Sequence, residues 1–482
     1  MEIETAMTES AVDGQITFRG SQGYPVCGCL RSLSVNQIEF ELFGPSIPLH
    51  RNETLNGVRV VWSGRVFFFN SAVVESIICN GPGVVCQARL TPDQFQPSQI
   101  SSLQPYASGA KRVVADEFDR AISRWGRTLR IPAYFKEAVE DVRSFLAETW
   151  NTLTSVESGI RKDLPPDQQE VALEETAREY ALLAGGAFDR LFSKFEEVSA
   201  RIDPLQYLVA QKICQTHWHP YLMNCPFMHR IFAKPLGYAG DYEMMNMIWR
   251  NQPEGRSLFA KVLSAYILNQ GPAISVRNRV REVHRLLVQE VMRVKASGRS
   301  ASIFSVGCGP ARELLLLMED PLCNDNSFHL MDFNDETLLH VQSSLEAARR
   351  KHLRTSSFEY SKRSVYQLMR NPSRSVQPEL QFDMIYSSGL YDYLDDRVSR
   401  TVNGRLYEQL KPGGVLYVTN FDHSNPIRKM MEYAFEWNLI HRNGRQMEEM
   451  IPPSVSNEDC SIWADNTGIN VFLEIRKPAD SR

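Results

Sequence analysis

A short apolar run, Ile303-Phe304-Ser305-Val306, breaks into Gly307-Cys308-Gly309-Pro310 and resumes as Ala311-Arg312-Glu313-Leu314; further on, Phe328-His329-Leu330-Met331 ends on Asp332 and Phe333. These residue types suit nucleoside binding. Glycines let a backbone turn tightly and approach a ligand where side chains would take its space. A carboxylate at the tip of the next strand accepts both hydroxyl protons of a ribose diol. A dinucleotide fingerprint needs a third glycine, and Arg312 stands in its place. The missing glycine argues for a nucleoside that carries no pyrophosphate.

Other chemistry-bearing residues gather in three places. Lys234-Pro235-Leu236-Gly237-Tyr238-Ala239-Gly240-Asp241-Tyr242 reads as a turn rich in phenols, with a helix starting near Asp241. Such a turn can fold over a ligand as a lid; Asp241 either caps the helix or meets a cationic group. Tyr386-Ser387-Ser388-Gly389-Leu390-Tyr391-Asp392-Tyr393 and Asn420-Phe421-Asp422-His423 follow apolar runs, at the strand ends where open sheets bind ligands. Ser387, Ser388 and Tyr391 are candidates to orient a substrate, with ordinary packing as the alternative for Tyr391. His423 would serve as a base for a hydroxyl substrate. Arg277 and Arg279 open a helix, and one of them is a candidate for bidentate pairing with a carboxylate, the alternative being a solvated face. His217-Trp218-His219 with Cys214 and Cys225 matches the spacing of no common closed zinc site, so no metal is expected.

The elements that must position these residues change character along the chain. From about 15 to 92, alternation such as Ile38, Phe40 and Leu42 against Gln37, Glu39 and Glu41 predicts short strands forming a small antiparallel barrel or sandwich. Pro92, Pro97 and Pro105 with Ser98, Ser101 and Ser102 read as a linker. Helical spacing follows over Val113 to Trp125, Ala133 to Asn151, Pro165 to Ala200 and Val276 to Lys295. From about 300, strands at 302–305, 328–332, 358–361, 382–387, 414–420 and 469–475 alternate with helices, as in a doubly wound α/β sheet. The expected division is a β-barrel accessory domain over 1–105, a helical substrate or lid region over 106–298 and an α/β domain over 299–482.

Composition narrows the function classes. The chain has 482 residues with 43% hydrophobic and 23% charged content, and a formal net charge of -4. That balance gives no electrostatic signal for nucleic acid. The run from Val58 to Cys79 is broken by Arg59, Arg65 and Glu75, and an integral membrane contact is not expected. The acidic start, Met1-Glu2-Ile3-Glu4-Thr5, does not read as a signal peptide, and the 9 cysteines are scattered; both suggest a cytoplasmic protein.

The α/β domain resembles the class I S-adenosylmethionine-dependent methyltransferases, whose Rossmann-like sheet carries a Gly-x-Gly turn, an acidic ribose ligand, a polar residue after the third strand and a Lys-Pro-Gly-Gly turn before the fifth. The matching residues are Gly307-Cys308-Gly309, Asp332, Arg363-Ser364-Val365 and Lys411-Pro412-Gly413-Gly414. Ser305 stands where such turns usually begin with an acid, and Ser364 where an adenine contact is often Asp. The resemblance implies S-adenosyl-L-methionine as cofactor, contacted by Gly307, Cys308, Gly309, Asp332, Phe333, Ser364, Val365 and Ser387, with Tyr242 and Arg279 from outside the sheet. An alternative for Asp332 is a helix cap.

The Gly237-Tyr238-Ala239-Gly240-Asp241-Tyr242 turn resembles that of bacterial methyltransferases which make 3-hydroxy fatty-acid methyl ester signals, the 3-hydroxypalmitic acid methyl ester synthases. The resemblance spans roughly 110 to 477. It implies a small-molecule acceptor, with the carboxylate of a fatty or related organic acid as best reading and quorum-sensing signal synthesis as the setting. Tyr238, Asp241, Ser388, Tyr391 and Asn420 become substrate contacts, and Tyr238, Tyr391 and His423 catalytic candidates. A homodimer is compatible with it. An O- or N-methyltransferase acting on another small molecule is the alternative enzyme.

Leu30-Arg31-Ser32-Leu33-Ser34-Val35-Asn36-Gln37-Ile38 resembles PilZ-type barrels. Ser32 and Gln37 replace two residues of the cyclic-dinucleotide motif, and Arg19 and Arg31 are the available basic partners. The non-enzymatic alternative is therefore a cyclic-dinucleotide effector with a degenerate sheet domain.

Overall fold

The computed structural model describes residues 14–19, 25–33, 37–43, 49, 52–62, 65–80, 83–90, 131–370 and 381–479. The expected linker at 92–105 and the helix at 113–125 lie outside the described residues. The chain divides into two compact units, Met1–Ser123 and Arg124–Arg482.

In the first unit six antiparallel strands, β1 (Gly14–Arg19), β2 (Pro25–Leu33), β3 (Gln37–Phe43), β4 (Thr54–Trp62), β5 (Arg65–Asn80) and β6 (Gly83–Leu90), form a closed barrel in the order β1-β2-β3-β6-β5-β4. Pairing of β1 with β4 closes it and leaves no free edge. The alternation works as the sequence suggests: Ile38, Phe40 and Leu42 turn inward onto Ile16, Phe18, Leu55 and Val74. In place of uniformly short strands, β5 runs for 16 residues, its register slipping between Val74 and Ser76. Such bulges bend and twist a long strand around a barrel.

The second unit begins with two long antiparallel helices, α1 (Ala133–Asp163) and α2 (Pro166–Ser199), separated by Leu164 and Pro165. Buried residues recur at threes and fours, as in Phe135, Ala138, Val139 and Val142, and Phe188, Phe192 and Phe195. Helices α3 (Tyr207–Leu222), α4 (Pro226–Ala233), α5 (Tyr242–Arg250), α6 (Leu258–Leu268) and α7 (Gly271–Ala296) follow. Every residue of α6 is buried, which erases the amphipathic signature by which a helix is recognised. No helix among the described residues is long and apolar enough to cross a membrane.

The expected doubly wound sheet is present: β7 (Ser302–Val306), β8 (Ser327–Asp332), β9 (Ser357–Lys362), β10 (Phe382–Ser387), β11 (Leu410–Phe421), β12 (Cys460–Ala464) and β13 (Asn470–Arg476), ordered β12-β13-β11-β10-β7-β8-β9. The strands pair in parallel from β9 to β11, and β13 inserts antiparallel between β11 and β12. The order reverses between β7 and β10, opening a crevice beyond their carboxyl ends. Lys411-Pro412-Gly413-Gly414 shifts the β10/β11 register between Phe382 and Met384, and Lys411 Nζ lies 2.7 Å from Asp383 at the amino end of the sheet. Helices α8 (Arg312–Leu317), α9 (Asp335–His352), α10 (Val365–Arg370) and α11 (Asp396–Glu408) connect the strands, and α12 (Arg428–Phe435) and α13 (Gly444–Glu448) follow β11.

The helical region is tied to the sheet region by Glu196. Its carboxylate accepts from the backbone N–H groups of Lys429 (2.7 Å) and Met430 (2.8 Å), the first turn of α12. Burial pushes its pKa up to about 7, against these bonds and with the charge of Glu432 adding to the rise. The folded chain thus holds this proton more tightly than the unfolded chain, so stability falls as pH rises from the usual carboxylate range through about 7. Melting temperatures recorded between pH 5 and 8 should show a smaller decline with pH in Glu196→Gln than in the parent; equal slopes would contradict this assignment.

Candidate active site

The glycine turn is fastened to the neighbouring strand. The N–H groups of Gly307 and Cys308 both donate to Met331 O, at 2.8 and 3.0 Å, and Gly309 N donates to Asp332 Oδ2 at 3.1 Å. Gly307 and Gly309 have φ of 68° and 51°, a region L side chains rarely occupy. A Cβ on Gly309 would project into open space, whereas one on Gly307 would come within 3.2 Å of Leu390. Asp332 is 6% exposed, and its Oδ1 accepts from Asn334 N at 3.1 Å. Burial raises the Asp332 pKa, opposed by these backbone donors. The cap of α9 is Asn334, which accepts from Thr337 N, so the capping alternative for Asp332 falls away. Cys308 belongs to the core beneath the turn. Arg312, in the third-glycine position, lies over the Trp249 ring, 5.4 Å from its centroid.

The phenol-rich turn grips the start of α9. The Tyr238 ring lies 5.2 Å from that of half-exposed Phe333, with its hydroxyl beside Thr337. Tyr242 stacks on His340 at 4.5 Å and donates to Glu336 at 2.8 Å. Asp241 is fully buried: it accepts from Met244 N at 2.8 Å as the cap of α5, and from Arg230 Nε at 2.9 and 3.0 Å. Both its oxygens are therefore engaged by Arg230 and the start of α5.

The arginines of α7 differ in their duties. Arg277 donates to the carbonyls of Ile248 and Leu268, at 3.3 and 2.8 Å, and braces the helices. Arg279 is 4% exposed, its Nε has no partner, and its remaining contacts are long: Asn470 Oδ1 at 3.4 Å, Asp392 Oδ2 at 3.9 Å and Met245 Sδ at 4.0 Å. Its guanidinium lies against Gly389 (φ 94°), where a Cβ would stand 2.8 Å from Nη2. Burial lowers the Arg279 pKa, partly offset by Asp392.

Around this crevice several expected ligands prove to be scaffold. Ser387 Oγ donates to Val306 O at 2.8 Å, joining β10 to β7, while Ser388 is half-buried. Tyr391 is fully buried and donates to Asn403 Oδ1 at 2.5 Å. Asn420 donates to Ile440 O at 2.7 Å and accepts from Arg442 Nη1 at 2.7 Å. Arg442 also donates to Tyr391 O and Leu394 O, pinning the loop after β10. Ser364 accepts from Gln367 N in the first turn of α10, and Val365 is buried. His423 is exposed and bonded to Gln446 at 2.9 Å. His217 faces Glu140 at 3.6 Å and His219 bonds Ala434 O at 2.8 Å; among the described residues no group of His, Cys, Asp or Glu could hold a metal ion.

Two features escaped the sequence reading. Asp392, between the tyrosines singled out, is buried; its Oδ1 accepts from Phe421 N at 2.7 Å and its pKa is pushed up to about 6 by burial, with Arg279 opposing. An acid just past a strand's carboxyl end was the available signal. The second is an apolar slot of about 40 Å³ whose lining includes Phe227, Ile248, Val276, Phe421, Met431 and Trp437. Its residues come from α4, α5, α6, α7, β11 and α12, a set that no local pattern brings together. Trp437 Nε1 donates to Tyr393 Oη at 3.0 Å at its rim.

The sequence model of a family described as "Putative methyltransferase" matches residues 237–448, from the lid turn to α13. This stretch is a methyltransferase domain. No curated protein matches the chain. Among solved structures, the chain is similar to a possible exported protein from Bordetella parapertussis, at 18% identity over 64% of this chain and 95% of that one, with a TM-score of 0.40. It is also similar to an O-methyltransferase family protein from Burkholderia thailandensis, at 15% identity over 56% and 73% of the two chains, with a TM-score of 0.31. A third is the magnesium protoporphyrin IX methyltransferase from Synechocystis PCC 6803 with bound SAH, at 11% identity over 43% and 86%, with a TM-score of 0.31.

The turn before α5 should depend on Asp241. Asp241→Ala removes a helix cap and strips Arg230 of its partner, so unfolding in urea should show a loss of about 2–4 kcal/mol. A loss below about 0.5 kcal/mol would show that the pair does not hold this turn.

Proposed function

We propose that the crevice between β7 and β10 binds S-adenosyl-L-methionine and that the domain methylates the carboxylate of a small organic acid, a 3-hydroxy fatty acid being the best reading. The observation that carries this is the cradle made by Gly309 and Asp332 together with the buried, unpartnered Nε of Arg279. These residues fit the cofactor. Gly309 leaves room for close approach, Asp332 suits a ribose diol, and Arg279 suits a carboxylate. Tyr238 and Phe333 supply aromatic faces beside the ribose position. When bound, the cofactor supplies a methyl group activated by a sulfonium.

The chain's task is then alignment and exclusion of water. A carboxylate acceptor is ionised at neutral pH and needs no base, which agrees with His423 being engaged by Gln446. The apolar slot supports an acceptor with an alkyl part. Its volume is close to one water's share of the liquid, about 30 Å³, so a longer chain would enter as Met431 and Trp437 move aside; methionine adapts readily to such repacking. In this reading the helices from α3 to α6 form the acceptor side of the site, and the barrel serves for docking or regulation.

The test is mass spectrometry of products after incubating the full chain with S-adenosylmethionine and matched series of 3-hydroxy acids, alcohols and amines. Methyl esters of the longer acids are expected. Methylation confined to alcohols or amines would overturn the acceptor reading. Asp332→Ala should lower kcat/KM about tenfold to a hundredfold, as loss of hydrogen bonds to a charged group implies.

A further inference from the structure

We infer that Asp392 is the partner of Arg279 in a clamp for the zwitterionic end of the methyl donor, Arg279 receiving its carboxylate and Asp392 its ammonium. This rests on reading the crevice as an S-adenosylmethionine site. Buried ions are costly unless they are paired and hydrogen-bonded, and Arg279 and Asp392 satisfy each other poorly. Their nearest atoms, Arg279 Nη1 and Asp392 Oδ2, are 3.9 Å apart, beyond hydrogen-bond reach. Arg279 Nε has no partner at all. Asp392 Oδ1 is taken by Phe421 N, which fixes the carboxylate and aims Oδ2 at Arg279.

The competing acids are engaged elsewhere. Asp332 holds the glycine turn, and Glu313 accepts from Tyr386 at 2.8 Å. Ser305, at the start of the turn, brings no charge. An α-amino acid group presents an anion and a cation side by side, and would give each member of the pair the partner it lacks. The same pair disfavours nucleotides, because a phosphate drawn to Arg279 would also meet the Asp392 carboxylate.

Calorimetry with the full chain tests this using S-adenosylhomocysteine and 5′-methylthioadenosine, which shares the nucleoside and thioether but lacks the amino-acid end. Asp392→Asn keeps an acceptor for Phe421 N. It should weaken S-adenosylhomocysteine about tenfold or more, leave methylthioadenosine unchanged, and raise the donor KM with kcat at saturation preserved. Arg279→Lys, which keeps the charge but loses the fork, should show the same selectivity and serves if the first variant does not fold. Equal weakening of both nucleosides, or a change in acceptor KM with S-adenosylhomocysteine affinity intact, would overturn the clamp. A parent chain that binds neither nucleoside would overturn the reading of the crevice itself.

Discussion

The site depends on one constraint, the double hold of Met331 O on the N–H groups of Gly307 and Cys308. It fixes the glycine turn against β8, so that Asp332, the next residue, meets Gly309 N. With Gly307 pressed on Leu390 and Gly309 facing open space, the crevice has a closed side and an open one. The chain reverses its strand order between β7 and β10 here, the place where open α/β sheets bind ligands. A methyl donor's ribose and amino-acid ends would then fall to separate groups, Asp332 on β8 and Arg279 on α7.

What surrounds this turn is held by charged side chains that bond across the chain to one another, to polar side chains and to backbone groups. Asp241 with Arg230 holds the turn before α5, and Arg442 gathers Asn420, Tyr391 O and Leu394 O into one knot. Glu196 reaches from α2 to cap α12, which contributes Met431 to the apolar slot. Removing any of these charged groups leaves its partners without their hydrogen bonds, which is costly where they are buried. That cost favours a single arrangement of the crevice over several loose ones.

Much of the frame was legible in the sequence because it is local. The expected strands of the sheet, the closed barrel and the turn at Gly307 follow from periodicity and from glycine positions. The fine assignments were harder, because a side chain's partner depends on distant chain. Tyr391 and Asn420 end strands facing the crevice in sequence, yet Asn403 and Arg442 turn both into scaffold. Asp241 has the type and setting of a ligand, but Arg230 claims it. Asp392 takes its role from Arg279 and Phe421 N, both distant in sequence. Strand β12 is short and mostly half-exposed, and α6 is buried all round; each lacks the contrast that reveals an element.

The central claim is that Gly309, Asp332 and Arg279 form one cofactor site. A crystal structure of the full chain grown with S-adenosylhomocysteine tests it most directly. Density is expected for the ribose on Asp332 and for the amino-acid end on Arg279. Density placed elsewhere on the chain, or an empty crevice at saturating ligand, would contradict it.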